Sequence, residues 1–208
     1  MLTRTTLSIG PQALAGELCL LDEAIGLVLF AHGRGSDHRS PRNQRIAQSL
    51  QNESLATCLV DLLTPAEAAD EATAHDITLL AARLSQAIDA LPPAAAALPL
   101  GLLGAGTGAA AALTVAAERP QQVRAVVSRG GRTDLAAPVL SDVRTPTLLI
   151  VGGADPVVLR LNREALAQLR GVKAIEAVPR ATHLFLEAGT LEAAALRAGE
   201  WFRTHLPA

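Results

Sequence analysis

Aromatic side chains are nearly absent from this chain of 208 residues, which has no tyrosine, three phenylalanines and one tryptophan. Proteins that bind single-stranded nucleic acid stack bases on aromatic rings, so this composition does not favour that function. Positive charge is not in excess either, because 18 Lys and Arg face 20 Asp and Glu, for a formal net charge of −2. Without a basic surface the chain has no general attraction for a phosphate backbone. We therefore expect no nucleic-acid partner and a small molecule as the ligand.

Cysteine is also scarce. Cys19 and Cys58 are the two thiols, and they form neither a CxxC pair nor a spacing typical of a metal site. Two isolated thiols fit a reducing compartment, and the N-terminal segment MLTRTTLSIG lacks the apolar core of a signal peptide. The sequence predicts a cytoplasmic protein, and it gives no reason to assign a metal or a cofactor.

Charged residues are missing altogether between Ala90 and Ala117. A stretch of this length can cross a bilayer, but alanine and glycine contribute much less to membrane insertion than leucine, isoleucine or phenylalanine. Prolines and glycines also interrupt the stretch. We interpret it as a buried strand followed by a buried helix, and we expect no membrane partner. The length of the chain and its 50% hydrophobic residues favour a single domain over residues 1–208.

Apolar runs and amphipathic segments alternate along the chain. Thr5–Ile9 and Ala13–Leu20 are typical of an antiparallel strand pair with a turn at Gly10-Pro11. Six further strands are predicted at Gly26–Ala31, Leu55–Leu63, Leu98–Leu103, Val123–Val127, Thr147–Val151 and Val172–Val178. Helices are predicted from Pro41 to about Gln51 and at Ala74–Leu91, Thr107–Glu118, Arg160–Leu169 and Leu191–His205. The alternation predicts an α/β fold, with a mostly parallel sheet of seven or eight strands and helices on both faces.

Glycine-rich or polar residues follow several of these strands. Ligands bind at the carboxyl ends of the strands in open α/β sheets. Residues 104–108 form a glycine-rich turn between a strand and a helix, Asp155 follows a later strand, and His183 follows the last one. A tight turn, then an acid, then a histidine is the chain order of the catalytic groups in α/β hydrolases.

Six segments together resemble small α/β hydrolases of the dienelactone hydrolase type. They are GLVLFAHGRGS (26–36), SPRN (40–43), GLLGAGTGAAAAL (101–113), AVVSRGG (125–131), TPTLLIVGGAD (145–155) and ATHLF (181–185). The resemblance extends from about Leu14 to Phe202. It implies the α/β-hydrolase fold and hydrolysis of an ester, lactone or thioester by a serine or cysteine nucleophile. The predicted loop Ser128–Arg144 is too short to hold a cap domain.

The chain departs from this pattern at the nucleophile. The family's turn reads G-x-S-x-G, whereas the corresponding turn here has Gly106 at its centre. Glycine adopts the strained backbone of such a turn freely but supplies no reacting atom. We therefore expect weak or absent hydrolytic activity, whether Gly106 is a natural residue or a replacement for a nucleophile.

The remaining catalytic roles can be assigned by position. Asp155 would orient His183 as the general base, and a water in the space of the missing side chain would carry any remaining activity. The backbone N–H of Thr107 and that of Gly33 or Arg34 would form the oxyanion hole.

The other histidines and the arginines near this turn have less specific interpretations. His32 is predicted to be structural, and His38, His75 and His205 belong to no recognisable group. The basic run of Arg34, Arg39, Arg42 and Arg45 is typical of a solvated face but could also favour an anionic substrate.

Two other functions are compatible with the sequence. A degenerate hydrolase fold can serve as a non-catalytic binding or scaffold protein. The segment Gly104–Ala109 also matches the dinucleotide fingerprint G-x-G-x-x-A, with Ser128-Arg129 as a site for the 2′-phosphate of NADP. An NADP-dependent oxidoreductase is the weaker alternative, because that fingerprint belongs on the first strand of its sheet.

Overall fold

An eight-stranded sheet runs through the structure, a computed structural model that describes residues 2–33 and 35–207. The strands are β1 Leu2–Ile9, β2 Leu14–Leu21, β3 Gly26–Ala31, β4 Leu55–Val60, β5 Leu100–Ala105, β6 Val123–Arg129, β7 Thr147–Gly152 and β8 Lys173–Val178. Their order across the sheet is β1-β2-β4-β3-β5-β6-β7-β8. The first two strands form an antiparallel hairpin that pairs antiparallel with β4, and all the other neighbours are parallel.

Helices cover both faces of this sheet. Those of eight or more residues are α1 Pro41–Asn52, α4 Ile77–Asp89, α6 Thr107–Glu118, α7 Pro156–Gln168 and α8 Thr190–His205, and the short ones are α2 Pro65–Ala69, α3 Glu71–Ala74 and α5 Pro93–Ala96. Helices α1 and α8 pack on one face around Ile46 and Phe202, while α4, α6 and α7 pack on the other. The structure therefore confirms the predicted fold class, and no segment of the described chain forms a separate cap.

The bounds of β3 and α6 coincide with those predicted from the sequence. All six residues of β3 are buried, as expected for a strand with helices on both sides. Helix α6 is rich in alanine, and its small side chains let it approach the sheet closely. The charge-free stretch thus forms α5, β5 and α6. No helix in residues 2–33 and 35–207 is both long enough and apolar enough to cross a bilayer.

Several other bounds differ from the predictions. The predicted loop Ser128–Arg144 was wrong, because β6 continues to Arg129 and a 3₁₀-helix spans Thr133–Asp142. Pro138 lies inside that helix, and a proline removes a backbone donor that a regular α-helix needs. Two predicted helices also start elsewhere. Helix α4 begins at Ile77 because the Asp76 side chain accepts a hydrogen bond from the N–H of Leu79, and α7 begins at Pro156 behind Asp155.

Candidate active site

The carboxyl ends of β3, β5, β6 and β7 and the loop after β8 surround a cavity of about 760 Å³. All five described residues to which the sequence assigned a catalytic or oxyanion-hole position line it: Gly33, Gly106, Thr107, Asp155 and His183. The structure thus brings the predicted site residues together from four separate segments. Arg34, the alternative donor to the predicted oxyanion hole, lies outside the described residues.

Gly106 forms the turn between β5 and α6. Its backbone has φ +56° and ψ −128°, a conformation that a residue with a side chain adopts only under strain. A Cβ placed on Gly106 would have no described atom within 4 Å apart from those of Gly106 and its two chain neighbours. The backbone therefore has the strained geometry of a nucleophile turn, and there is room for a side chain where none exists.

Asp155 and His183 form a hydrogen-bonded pair beside this turn. His183 Nδ1 lies 3.0 Å from Asp155 Oδ2, while Asp155 Oδ1 accepts a hydrogen bond of 3.1 Å from the N–H of Val158. Asp155 thus caps helix α7 and orients the imidazole at the same time. The His183 side chain is 49% exposed, and its Nε2 has no hydrogen-bond partner in the described part of the chain. That nitrogen is open to water or to a ligand.

The loop that carries His183 is held by its own side chains. The Glu187 carboxylate accepts hydrogen bonds from the N–H and the hydroxyl of Thr182, at 3.0 and 2.7 Å, and these bonds lower its pKa. Phe185 has a positive φ of 54° and is buried. The backbone accepts this conformation because the ring anchors the loop in the core. His183 is therefore presented on a constrained turn.

The two predicted oxyanion-hole segments lie against each other. A Cβ placed on Gly33 would be 3.0 Å from the backbone nitrogen of Thr107 and 2.8 Å from its hydroxyl oxygen, so this contact requires a residue without a side chain. Thr107 is the first residue of α6, whose free N–H groups can bind a developing negative charge. The Thr107 hydroxyl is buried beside Gly33, which is consistent with the expectation that it does not replace the nucleophile.

One group of polar residues near the cavity was missed by the sequence analysis. Asp61, directly after β4, accepts hydrogen bonds from the N–H of His38 at 2.8 Å, and it contacts His38 Nδ1 at 2.9 Å and His32 Nε2 at 3.1 Å. The prediction that His38 belongs to no group was wrong. Burial opposes the charged form of Asp61, but the hydrogen bonds outweigh it and lower the pKa of this carboxyl. The signal that could have indicated this group is Asp61 itself, a charged residue directly after the apolar run LATCLV.

Neither a metal nor a cysteine nucleophile is indicated at this site. Within residues 2–33 and 35–207, no three His, Cys, Asp or Glu side chains are grouped so as to hold a metal ion. Both thiols are buried, and burial raises the pKa of Cys58 to about 12. A thiol of that kind is not a reactive thiolate near neutral pH.

The geometry does not favour the nucleotide interpretation. Strand β5 lies in the middle of the sheet, after β3 and β4 in the chain, rather than first. Ser128 is fully buried and its hydroxyl lies against Gly131, so it cannot contact a nucleotide phosphate. The two-residue phosphate site predicted at Ser128-Arg129 therefore does not exist as such. Arg129 alone reaches the cavity.

Known structures show which family the chain represents. A crystal structure of a dienelactone hydrolase from Anabaena variabilis superposes with a TM-score of 0.92, at 48% sequence identity over 99% of this chain and 98% of that one. The chain belongs to the dienelactone hydrolase family. Est1E from Butyrivibrio proteoclasticus, at 13% identity, covers 96% of this chain and 99% of its own with a TM-score of 0.73, and shares the fold. The resemblance drawn from the six sequence segments is confirmed.

A curated relative is longer than this chain. A Mycobacterium tuberculosis protein (strain H37Rv), provisionally described as a phosphoribosyl transferase, is 51% identical over 199 residues. The match covers 95% of this chain and 45% of that protein, so the chain spans about half the length of the curated relatives it matches. No protein-family profile matches the chain.

Proposed function

We propose that this dienelactone hydrolase family member binds a small ester or lactone and hydrolyses it weakly, without a covalent intermediate. The observation that carries the proposal is Gly106, which has the backbone of a nucleophile turn, no side chain and no atom near its Cβ position. The hydrogen-bonded Asp155–His183 pair lines the same cavity. The site thus keeps a general base and lacks the atom that would form an acyl-enzyme.

Water replaces the missing nucleophile in the proposed reaction. His183 Nε2 accepts a proton from a water molecule lodged beside Gly106, and the water oxygen attacks the carbonyl carbon. Negative charge develops on the carbonyl oxygen, where the N–H groups of Thr107 and Gly33 stabilise it. The carbon–oxygen bond to the leaving group then breaks, and His183 returns its proton to that oxygen. One ester and one water give one acid and one alcohol, and Asp155 keeps the imidazole oriented throughout.

The expected rate is low but measurable. Enzymes of this kind without a working triad retain about 10³–10⁴-fold acceleration over water from binding and the oxyanion hole. The test is the hydrolysis of p-nitrophenyl acetate by the wild type and by His183→Ala. We expect His183→Ala to lower the protein-dependent rate at least about tenfold, because general-base catalysis is lost.

The matched control is His205→Ala. His205 ends α8, packs on Trp201 at a ring distance of 4.3 Å and does not line the cavity, so its replacement should leave the rate unchanged. Equal rates in the wild type and His183→Ala would contradict the proposal. The absence of any rate above buffer would favour the alternative function, a non-catalytic binding protein on a hydrolase fold.

Phosphoribosyl transfer is not assigned to this chain. That description belongs to a relative of which the match covers 45%. The described residues provide an aspartate–histidine pair and a strained glycine turn, which are suited to acyl chemistry. A cytoplasmic location, and a single domain over residues 1–208, remain predictions.

A further inference from the structure

Arg129 places a positive charge in the wall of the same cavity without a carboxylate partner. It ends β6, and its guanidinium lies 5.9 Å from the centre of the Phe185 ring. Nη2 donates a long hydrogen bond of 3.4 Å to Asn43 Oδ1, and Nε is buried with no partner. No carboxylate of residues 2–33 and 35–207 lies within ion-pair distance of Arg129. The arginine is thus largely desolvated and electrostatically unbalanced.

Arg42 adds a second unbalanced charge beside it. Both arginines line the cavity, and Asn43, which follows Arg42 in the chain, accepts the hydrogen bond from Arg129. Burial, and then repulsion from Arg42, lower the pKa of Arg129 to about 10. Arg42, in the first turn of α1, also lines the cavity and has no carboxylate partner in the part of the chain that the structure describes. Two like charges held together in this way destabilise the empty site.

The other described arginines that are not exposed carry their own counter-ions. Arg83 pairs with Glu67 at 2.6 Å, and Arg132, which also lines the cavity, pairs with Asp134 at 2.7 Å. Desolvated charges in proteins are normally paired, because removal of an ion from water is costly. The exception at Arg42 and Arg129 is therefore informative. It indicates that an anion completes this part of the cavity.

We propose that the ligand of this cavity carries a phosphate monoester group, which Arg42 and Arg129 bind while its ester or lactone carbonyl lies at Gly106. The assignment rests on the proposed function, because it places the charged group in the same cavity as the carbonyl. A phosphate monoester has a charge of about −1.5 to −2 at pH 7, which matches two guanidinium groups, whereas one carboxylate would leave a positive charge unbalanced. A volume of about 760 Å³ accommodates a small molecule with both groups.

The test is calorimetric binding of phenyl phosphate and of benzoate, two probes with the same ring and different anionic groups. We expect the wild type to bind phenyl phosphate at least tenfold more tightly than benzoate. Arg129→Gln and Arg42→Gln should each weaken phenyl phosphate binding about tenfold or more, because each removes a charge-assisted hydrogen bond. Arg129→Lys keeps the charge and should recover part of the affinity.

Arg45→Gln is the matched control, since Arg45 lies on the same helix as Arg42, is exposed and does not line the cavity. Its phenyl phosphate affinity should stay within twofold of the wild type. Circular dichroism of each variant verifies the fold. Equal affinities for the two probes, no binding of phenyl phosphate at millimolar concentration, or loss in Arg45→Gln as large as in Arg129→Gln would each overturn the inference.

The two proposals fail in different ways. If phenyl phosphate binds in an arginine-dependent manner but no His183-dependent ester hydrolysis is found, the ligand assignment stands and the hydrolytic function falls. If p-nitrophenyl acetate is hydrolysed with His183 dependence but neither arginine affects phosphate binding, the hydrolytic function stands and the phosphate assignment is overturned.

Discussion

Two groups of aspartate and histidine lie at the carboxyl edge of the sheet, and they are built differently. Asp61 contacts His32 and His38, and the three side chains are 19%, 6% and 14% exposed. The Asp155 side chain is 15% exposed but its His183 partner is 49% exposed. In the first group three nitrogen atoms contact the carboxylate, and both imidazole rings are largely buried. In the second group the His183 ring is half exposed, and its Nε2 is open to a ligand in the cavity.

The Asp61 group nevertheless lies beside the site that contains Asp155 and His183. Asp61 contacts both His32 and His38. Gly33, which follows His32, lies against Thr107, the first residue of α6. The cluster therefore holds in place the segment that carries Gly33, a predicted donor to the oxyanion hole. The same pair of residue types is enclosed in one group, and in the other it forms the proposed general base.

Stability measurements should separate the two groups most strongly. Asp61→Ala removes the shared partner of two largely buried histidines, and we expect it to lower the free energy of unfolding by about 2–4 kcal/mol. Asp155→Ala removes a helix cap and one hydrogen bond to the half-exposed His183, so the loss should be about 1 kcal/mol. Urea unfolding followed by circular dichroism measures both. Equal losses would break the distinction between the groups.

A smaller effect on the free energy of unfolding is expected from the titration of Asp61 with pH. The pKa of Asp61 is lowered in the folded state, so its charged form contributes stability above the pKa of the unfolded chain, about 3.9. That contribution is lost as the pH falls through the lower folded pKa. The difference in unfolding free energy between the wild type and Asp61→Asn should therefore be full at pH 7 and 5 and smaller at pH 3. A difference that grows towards pH 3 would contradict a lowered pKa of Asp61 in the folded state.

Elements with strong local signals could be predicted from the sequence. The limits of β3 and α6 follow from a buried apolar run and from a small-residue segment that ends before Arg119-Pro120. The positions of Asp155 and His183 could be expected from chain order, because parallel strands end at one edge. The two side chains do meet at that edge, where they form a hydrogen bond of 3.0 Å.

Contacts between loops could not be predicted in the same way. The Asp61–His38 contact joins side chains 23 residues apart in segments without periodic patterns, and no local rule brings them together. The unbalanced charge of Arg129 is likewise a property of its surroundings. It depends on Phe185 in the loop after β8 and on Arg42 in α1. Sequence periodicity predicts which helices and strands form, whereas contacts between loops determine which polar and charged groups have a partner.

Gly106 stands where a nucleophile would complete the proposed site, and the intact mass of Gly106→Ser during p-nitrophenyl acetate turnover tests this assignment. We expect an acetyl adduct on the introduced serine within the first turnovers, together with a rate at least about 100-fold above the wild type. The variant should also lose about 1–3 kcal/mol of stability from backbone strain. The wild type and the double variant Gly106→Ser/His183→Ala should form no such adduct. A folded Gly106→Ser that forms no adduct and hydrolyses no faster than the wild type would contradict the claim.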